Sequence, residues 1–203
     1  MMVEPKPFFE IQNSESLTIA DWYGIAYDLE HVISATKTLV HLLQQTERDS
    51  TLVRSLWSSA LVAYVRCFKT GKRICIDPEI YAGLPGDPIG THQYYKDTRD
   101  KHIAHPVSAF EEVRVGVLLD DSGAPVSIGH LAAFRLSDDE AGVAQLGRLA
   151  SSSLEHIMKL IKPLESSMLT HAQENPSTLA SLKSLRIQAK GGAETARAKR
   201  KLE

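Results

Sequence analysis

The stretch TIADWYGIAYDLEHVISATKTLVHLLQQTE, residues 18–47, decides the architecture. Along it Trp22, Ile25, Leu29, Val32, Thr36, Leu39 and Leu43 recur at steps of three and four, the period of a helix with one apolar face. Thr18 with Asp21 three residues on reads as a weak capping box, and Arg48-Asp49-Ser50 as the break that follows. A second stripe, Val53, Trp57, Ala60, Tyr64 and Cys67, predicts a helix from about Thr51 to Thr70, with Gly71 as its C′ glycine. Two long consecutive helices joined by a short turn pack most economically as an antiparallel hairpin.

Outward from that hairpin the pattern changes twice. Asp77-Pro78, Gly83, Pro85-Gly86 and Asp87-Pro88 punctuate residues 72–88, which predicts a structured loop with at most one helical turn around Glu79 to Ala82. A third helix is expected from Ile89 or Gly90 to about His105, where Pro106 stops it. Beyond Phe110 the period falls to two. Val113, Val115 and Val117, then Val126 and Ile128, read as strands around a turn at Asp120-Asp121-Ser122-Gly123. Such a hairpin is marginal alone in water, so it should lie on the helices or pair with a partner subunit. Ser137 and Glu140 match an S-x-x-E box opening a fourth helix through Val143, Leu146, Ala150, Ile157, Leu160 and Leu164, with a kink expected at Pro163.

With 203 residues, 43% apolar and 24% charged, the chain has enough material for one buried core and too little for two confident ones. Cys67 and Cys75 form no C-x-x-C pair or disulfide framework, which suits a reducing compartment. The opening residues lack a basic-then-apolar signal, and no run approaches the ~20 apolar residues of a membrane span. A cytoplasmic protein with no membrane partner is the expectation. The formal charge of −2 is unevenly spread: from Pro176 onward seven basic residues face two acidic ones, +5, which leaves −7 for residues 1–175.

The concentrated chemistry is Arg99-Asp100-Lys101-His102-Ile103-Ala104-His105. Of eight histidines, only His92, His102 and His105 gather in one expected element. A charged run on a helix is ordinarily a solvated face. Histidine, however, is the side chain whose unperturbed pKa suits proton transfer near neutral pH, and arginine's planar fork suits phosphate oxygens. On an ideal helix Arg99 and His105 would point about 120° apart and sit ~9 Å apart along the axis, so one chain need not bring them together.

Arg99-x5-His105, with Asp100 after the arginine and Ala104 before the histidine, resembles the R-x4–6-H signature of HEPN domains. The stretch from Ala63 to Arg73 looks like the branch of that family related to abortive-infection U-type proteins. The resemblance spans residues 16–170 and implies a mainly α fold: a HEPN-like antiparallel helical bundle, here with an inserted β-hairpin at about 112–136 that the minimal all-helical family lacks. It divides the chain into an N-terminal extension (1–15), the helical domain (16–173) and a basic C-terminal tail (174–203). It implies metal-independent RNA cleavage without a cofactor, by a homodimer whose paired motifs share one cleft. Arg99 and His105 would be the catalytic residues, with Asp100 and His102 in support. A toxin or antiviral effector, restrained by an antitoxin or neutralising protein, is the setting it suggests.

Lys101, Arg66, Lys69 and Arg73 would extend a basic surface for RNA, although a solvated face is their ordinary reading. His102, three residues after Arg99, would share its groove or simply be solvated. Tyr94 and Tyr95 would stack on bases or join the core, the core being favoured for Tyr95. His92, His102 and His105 complete no zinc ligand set, and no P-loop, nucleophile elbow or dinucleotide fingerprint is present. The alternative from another class is a non-catalytic helical dimer that uses the same motif as a scaffold or RNA-binding surface.

Overall fold

Asn13 starts the first helix: its side chain accepts from the Ser16 amide while the Ser16 hydroxyl receives the Asn13 amide, a complete reciprocal cap. The structure, a computed structural model, describes residues 9–11, 13–71, 73–103 and 110–175. Helix α1 runs Ser14–Leu43, a turn earlier at its start and four residues shorter at its end than its apolar stripe suggests. Thr18 does not cap it; its hydroxyl donates to the Ser14 carbonyl inside the first turn. Helix α2, Ser50–Arg66, is capped by Asp49, which accepts from the Thr51 and Leu52 amides. It ends before Thr70, and Gly71 is not its C′ residue, since it takes no positive φ.

Three side-chain contacts give the direction of packing. His31 meets Ser59, Asp28 meets Arg66 and the Ile25 carbonyl meets the Cys67 thiol, so α2 descends as α1 rises. The fourth helix, α4 (Glu140–Glu174), does the same on another side of α1: Gln44 bonds Glu140, Thr36 abuts Gly147 and Tyr23 bonds Glu165. The expected antiparallel helical arrangement is present, with α1 between two antiparallel neighbours. Asp139 caps α4 through the Gly142 amide, in place of Ser137. The helix continues through Pro163, and Ile161 is the buried position where Leu160 was expected.

The loop between α2 and the third helix is tied down as expected. The Ile76 amide returns to the Cys67 carbonyl, Ile74 bonds Asp21, and a single 3-10 turn at Pro78–Tyr81 buries Tyr81. Helix α3, Pro88–Thr98, carries Asp87 at its cap and proline at its first position. It inserts Tyr95 edge-on against Trp57 and Tyr64 at ring distances of 6.1 and 6.2 Å, which fixes α3 on α2. The core also includes Leu29, Val32, Leu39, Leu61, Leu146 and Ile157.

Strands β1 (Glu111–Leu119) and β2 (Pro125–Phe134) form one antiparallel ladder, with Val115 opposite His130 and Val117 opposite Ile128. Asp120 builds the turn by accepting from the Ser122 and Ala124 amides, and Gly123 supplies a φ of +84°. The hairpin does not lie on the helices. Its valines, Ile128 and Leu131 are more than half exposed. No helix among the described residues is long and apolar enough to cross a membrane.

Candidate functional site

The third helix does not carry the charged motif to His105 as a regular helix. After Thr98 the backbone widens into a π-helical turn, Arg99–Ile103. Such single turns are rare and cluster at functional sites, because the i→i+5 spacing re-aims every side chain on them. The helical angles expected from a straight α-helix therefore do not apply. His105, with residues 104–109, lies outside the described residues, so its relation to Arg99 is not part of this geometry.

Arg99 donates from Nη1 to Asp100 Oδ1 at 2.7 Å, with 23% of its side chain exposed. The Asp100 carboxyl is held below its ordinary range, first by that hydrogen bond, against a smaller opposing effect of burial. The Arg99 charge, Lys69 and Lys96 add to the lowering. This corner is basic, and Lys69 is part of it. Lys101 reaches Asp97 at 3.5 Å on the solvent side.

Arg66 and Arg73 each have a carboxylate partner away from the motif. Both are drawn to Asp28 on α1, at 3.4 and 3.0 Å, where they clamp the end of α2 and the following loop to α1.

His102 also leaves Arg99. Its ring stacks on Phe110 at 3.8 Å and 27°, and it faces a cavity of about 310 Å³ that Arg99 does not line. Arg54, Trp57 and Ser58 from α2, Thr98 and Ile103 from the end of the third helix, and Phe110, Glu111, Arg135 and Leu136 at the hairpin base form the walls. Arg135 lies 5.0 Å from the Phe110 ring centre, donates Nη2 to Asp138 at 2.7 Å and Nε to the Ser137 carbonyl. Asp138 is buried and also accepts from the Tyr94 hydroxyl; burial first, and this bond after it, push the Tyr94 hydroxyl's pKa up. Arg54 bonds Glu111 at 3.0 Å.

The sequence reading passed over these residues. Their meeting depends on the register: an irregularity between Leu118 and Leu119 shifts the ladder by one residue, so that Glu111 pairs with Phe134 and the Arg135 amide bonds the Phe110 carbonyl, which counting outward from the Asp120 turn does not give.

His92 goes the other way, into the core. Its Nδ1 meets the Tyr64 hydroxyl at 3.0 Å, Tyr64 meets Tyr81 at 3.1 Å, and Tyr81 meets Ser153 at 2.5 Å. Burial, with a contribution from Lys96, brings the His92 pKa down to about 4, so it is neutral at physiological pH. Burial likewise pushes Tyr81 and Cys67 up to about 12. Tyr95 is core, as expected, and its hydroxyl donates to the Gly142 carbonyl.

Among the described residues no group of three His, Cys, Asp or Glu side chains is placed to hold a metal ion. No protein-family model, no curated protein and no solved structure matches the chain.

Proposed function

We propose that this chain is a metal-independent endoribonuclease of HEPN type, a cytoplasmic toxin or antiviral effector that works as a homodimer and is restrained by an antitoxin or neutralising protein. The observation that supports it is the placing of Arg99 on a π-helical turn, with Asp100, Lys69 and Lys96 around it. In the proposed reaction the ribose 2′-oxygen bonds to phosphorus as the bond to the 5′-oxygen breaks. One proton leaves the 2′-hydroxyl and one is given to the 5′-oxygen. Arg99 would hold the phosphate oxygens as negative charge gathers on them, and His105 would carry one of the protons.

A second copy is part of this reading because the apolar hairpin face is uncovered in one chain. Arg99→Ala and His105→Ala are each expected to abolish RNA cleavage and growth arrest on induced expression, and EDTA to leave both unchanged. Intact RNA after incubation with the purified protein, or wild-type cleavage by both variants, would sink the proposal.

One observation favours the non-catalytic reading: Arg99 is already bonded to Asp100 and largely enclosed. If RNA binds but is never cut, and Arg99→Ala binds it equally well, the motif is a scaffold element.

A further inference from the structure

The cavity between α2, the π-turn and the hairpin base has a composition that the nuclease reading does not use. Two arginines line it from different elements, Arg54 from helix α2 and Arg135 from the residue after strand β2, and His102 lines it from the π-turn. Among the described lining residues one carboxylate, Glu111, stands against them. We propose that this cavity binds the phosphate group of a phosphate ester, with its organic part lying on Trp57, Ile103 and Leu136. This holds whether or not Arg99 and His105 cleave RNA.

Arg135 is positioned for the task. Asp138, buried and shared with Tyr94, takes Nη2, and the Ser137 carbonyl takes Nε. The plane of the guanidinium is thereby set, and Nη1 has no hydrogen bond among the described residues. The Phe110 ring under it limits sideways movement. A carboxylate ligand presents two oxygens in one plane and is met by a single fork. A phosphate presents its oxygens tetrahedrally and so accepts donors from several walls at once. The volume, about 310 Å³, is at the lower end of small-molecule sites. It exceeds what an inorganic phosphate needs, and buried Trp57 beside Ile103 and Leu136 offers the remainder an apolar bed. His102 and Phe110 already cover one face of each other, so the aromatic wall narrows the site rather than opening a second stacking face.

A mononucleotide and a nucleotide within an RNA strand carry the same chemistry, and two probes separate them. The full chain is titrated with adenosine 5′-monophosphate and with a 2′-O-methyl oligoribonucleotide, whose blocked 2′-oxygens prevent cleavage. Adenosine is the phosphate-free control. Trp57 lines the cavity and Trp22 does not, so tryptophan fluorescence reports occupancy. A saturable change with adenosine 5′-monophosphate supports a free-nucleotide site, and one with the oligonucleotide alone supports a strand site. Adenosine should give none.

Arg135→Gln and Arg54→Gln should each weaken binding about tenfold or more, as loss of a charge-assisted hydrogen bond implies. Glu111→Gln should tighten it, because it removes the phosphate's competitor for Arg54. A merely unfolded variant cannot produce that opposite sign. Should Arg135→Gln lower the melting temperature by leaving Asp138 buried with Tyr94 alone, Arg54→Gln carries the test, since 58% of the Arg54 side chain is exposed. The proposal is overturned if neither phosphate probe saturates below about 1 mM. It is overturned equally if adenosine binds as well as its phosphate, or if folded Arg54→Gln and Glu111→Gln bind like wild type.

Discussion

His92 shows how one buried side chain makes the stability of this protein depend on pH. Its folded pKa is about 4, against 6.5 for a free histidine. Between those values the unfolded chain binds a proton that the folded chain refuses, so stability rises with pH across that window. The contribution is fully present above about pH 6.5 and is lost as pH falls through the folded value, on the order of 3 kcal/mol in all. Replacing His92 by Asn keeps an acceptor near the Tyr64 hydroxyl but removes the titration. Urea unfolding at pH 7 and pH 4.5 should show a smaller drop for the variant than for wild type. Equal drops would mean that His92 is not the group responsible. The sequence places His92, His102 and His105 together because they share one expected element. It cannot show that the His92 ring packs 4.5 Å from Phe68 while His102 turns to Phe110 at the hairpin base, because Phe68 belongs to another segment and the return of Phe110 to His102 is set by the fold, not by helical period. Lys69 joins the motif only through the fold, while Arg99 and Asp100 were legible as a local charged pair. Arg66 and Arg73 were not, since Asp28 on α1 claims both.

Among the elements, α1 and α4 meet tightly at Gly147 and Thr36. A Cβ on Gly147 would come within 2.7 Å of the Thr36 hydroxyl, which is itself bonded to the Val32 carbonyl. Gly147→Ala gains up to about 1 kcal/mol of helix propensity but overpacks a buried contact, which costs roughly 1–3 kcal/mol. The expected outcome is net destabilisation by about 1 kcal/mol. In a Thr36→Ala background the same change should become neutral or stabilising, a coupling that a double-mutant cycle by urea denaturation measures. Additive effects would show that the helices do not touch there. Helix existence and the buried stripes were readable from period 3.6, but the ends were not. Asn13, Asp49 and Asp139 cap where backbone geometry brings their oxygens to free amides, and several neighbouring polar residues satisfy the same pattern on paper. The π-turn was unreadable for a related reason: no residue type in Arg99–Ile103 demands the wider spacing. Packing on α2 and the pull of His102 toward Phe110 act there from outside the segment.

At the scale of the whole molecule, the hairpin is the feature a single chain leaves unfinished. On one face Val113, Val115 and Val117 stand beside Ala132, His130 and Ile128, while the other carries the Glu112–Arg114 ion pair with Ser127, Leu118 and Leu131. Val115 and Ile128 are 73% and 70% exposed, too apolar a surface to leave in water without purpose. Two strands about 30 Å long and ~5 Å apart offer on the order of 300 Å² per copy, less than half of the ~800 Å² that each partner contributes to a standard interface. A dimer formed through this face must therefore also use the helical surface near the hairpin base. Val115→Lys with Ile128→Glu makes the apolar face polar and adds a diagonal pair of opposite charges, so the hairpin itself should survive. Under the dimer proposal, wild type should sediment at about twice 22.4 kDa and the double variant as a single chain of 22.4 kDa, with unchanged circular dichroism. If the variant stays dimeric, the helices alone hold the partner. If wild type is already monomeric, the paired half-sites that the nuclease reading requires do not form, and Arg99 must act, if it acts, from one chain.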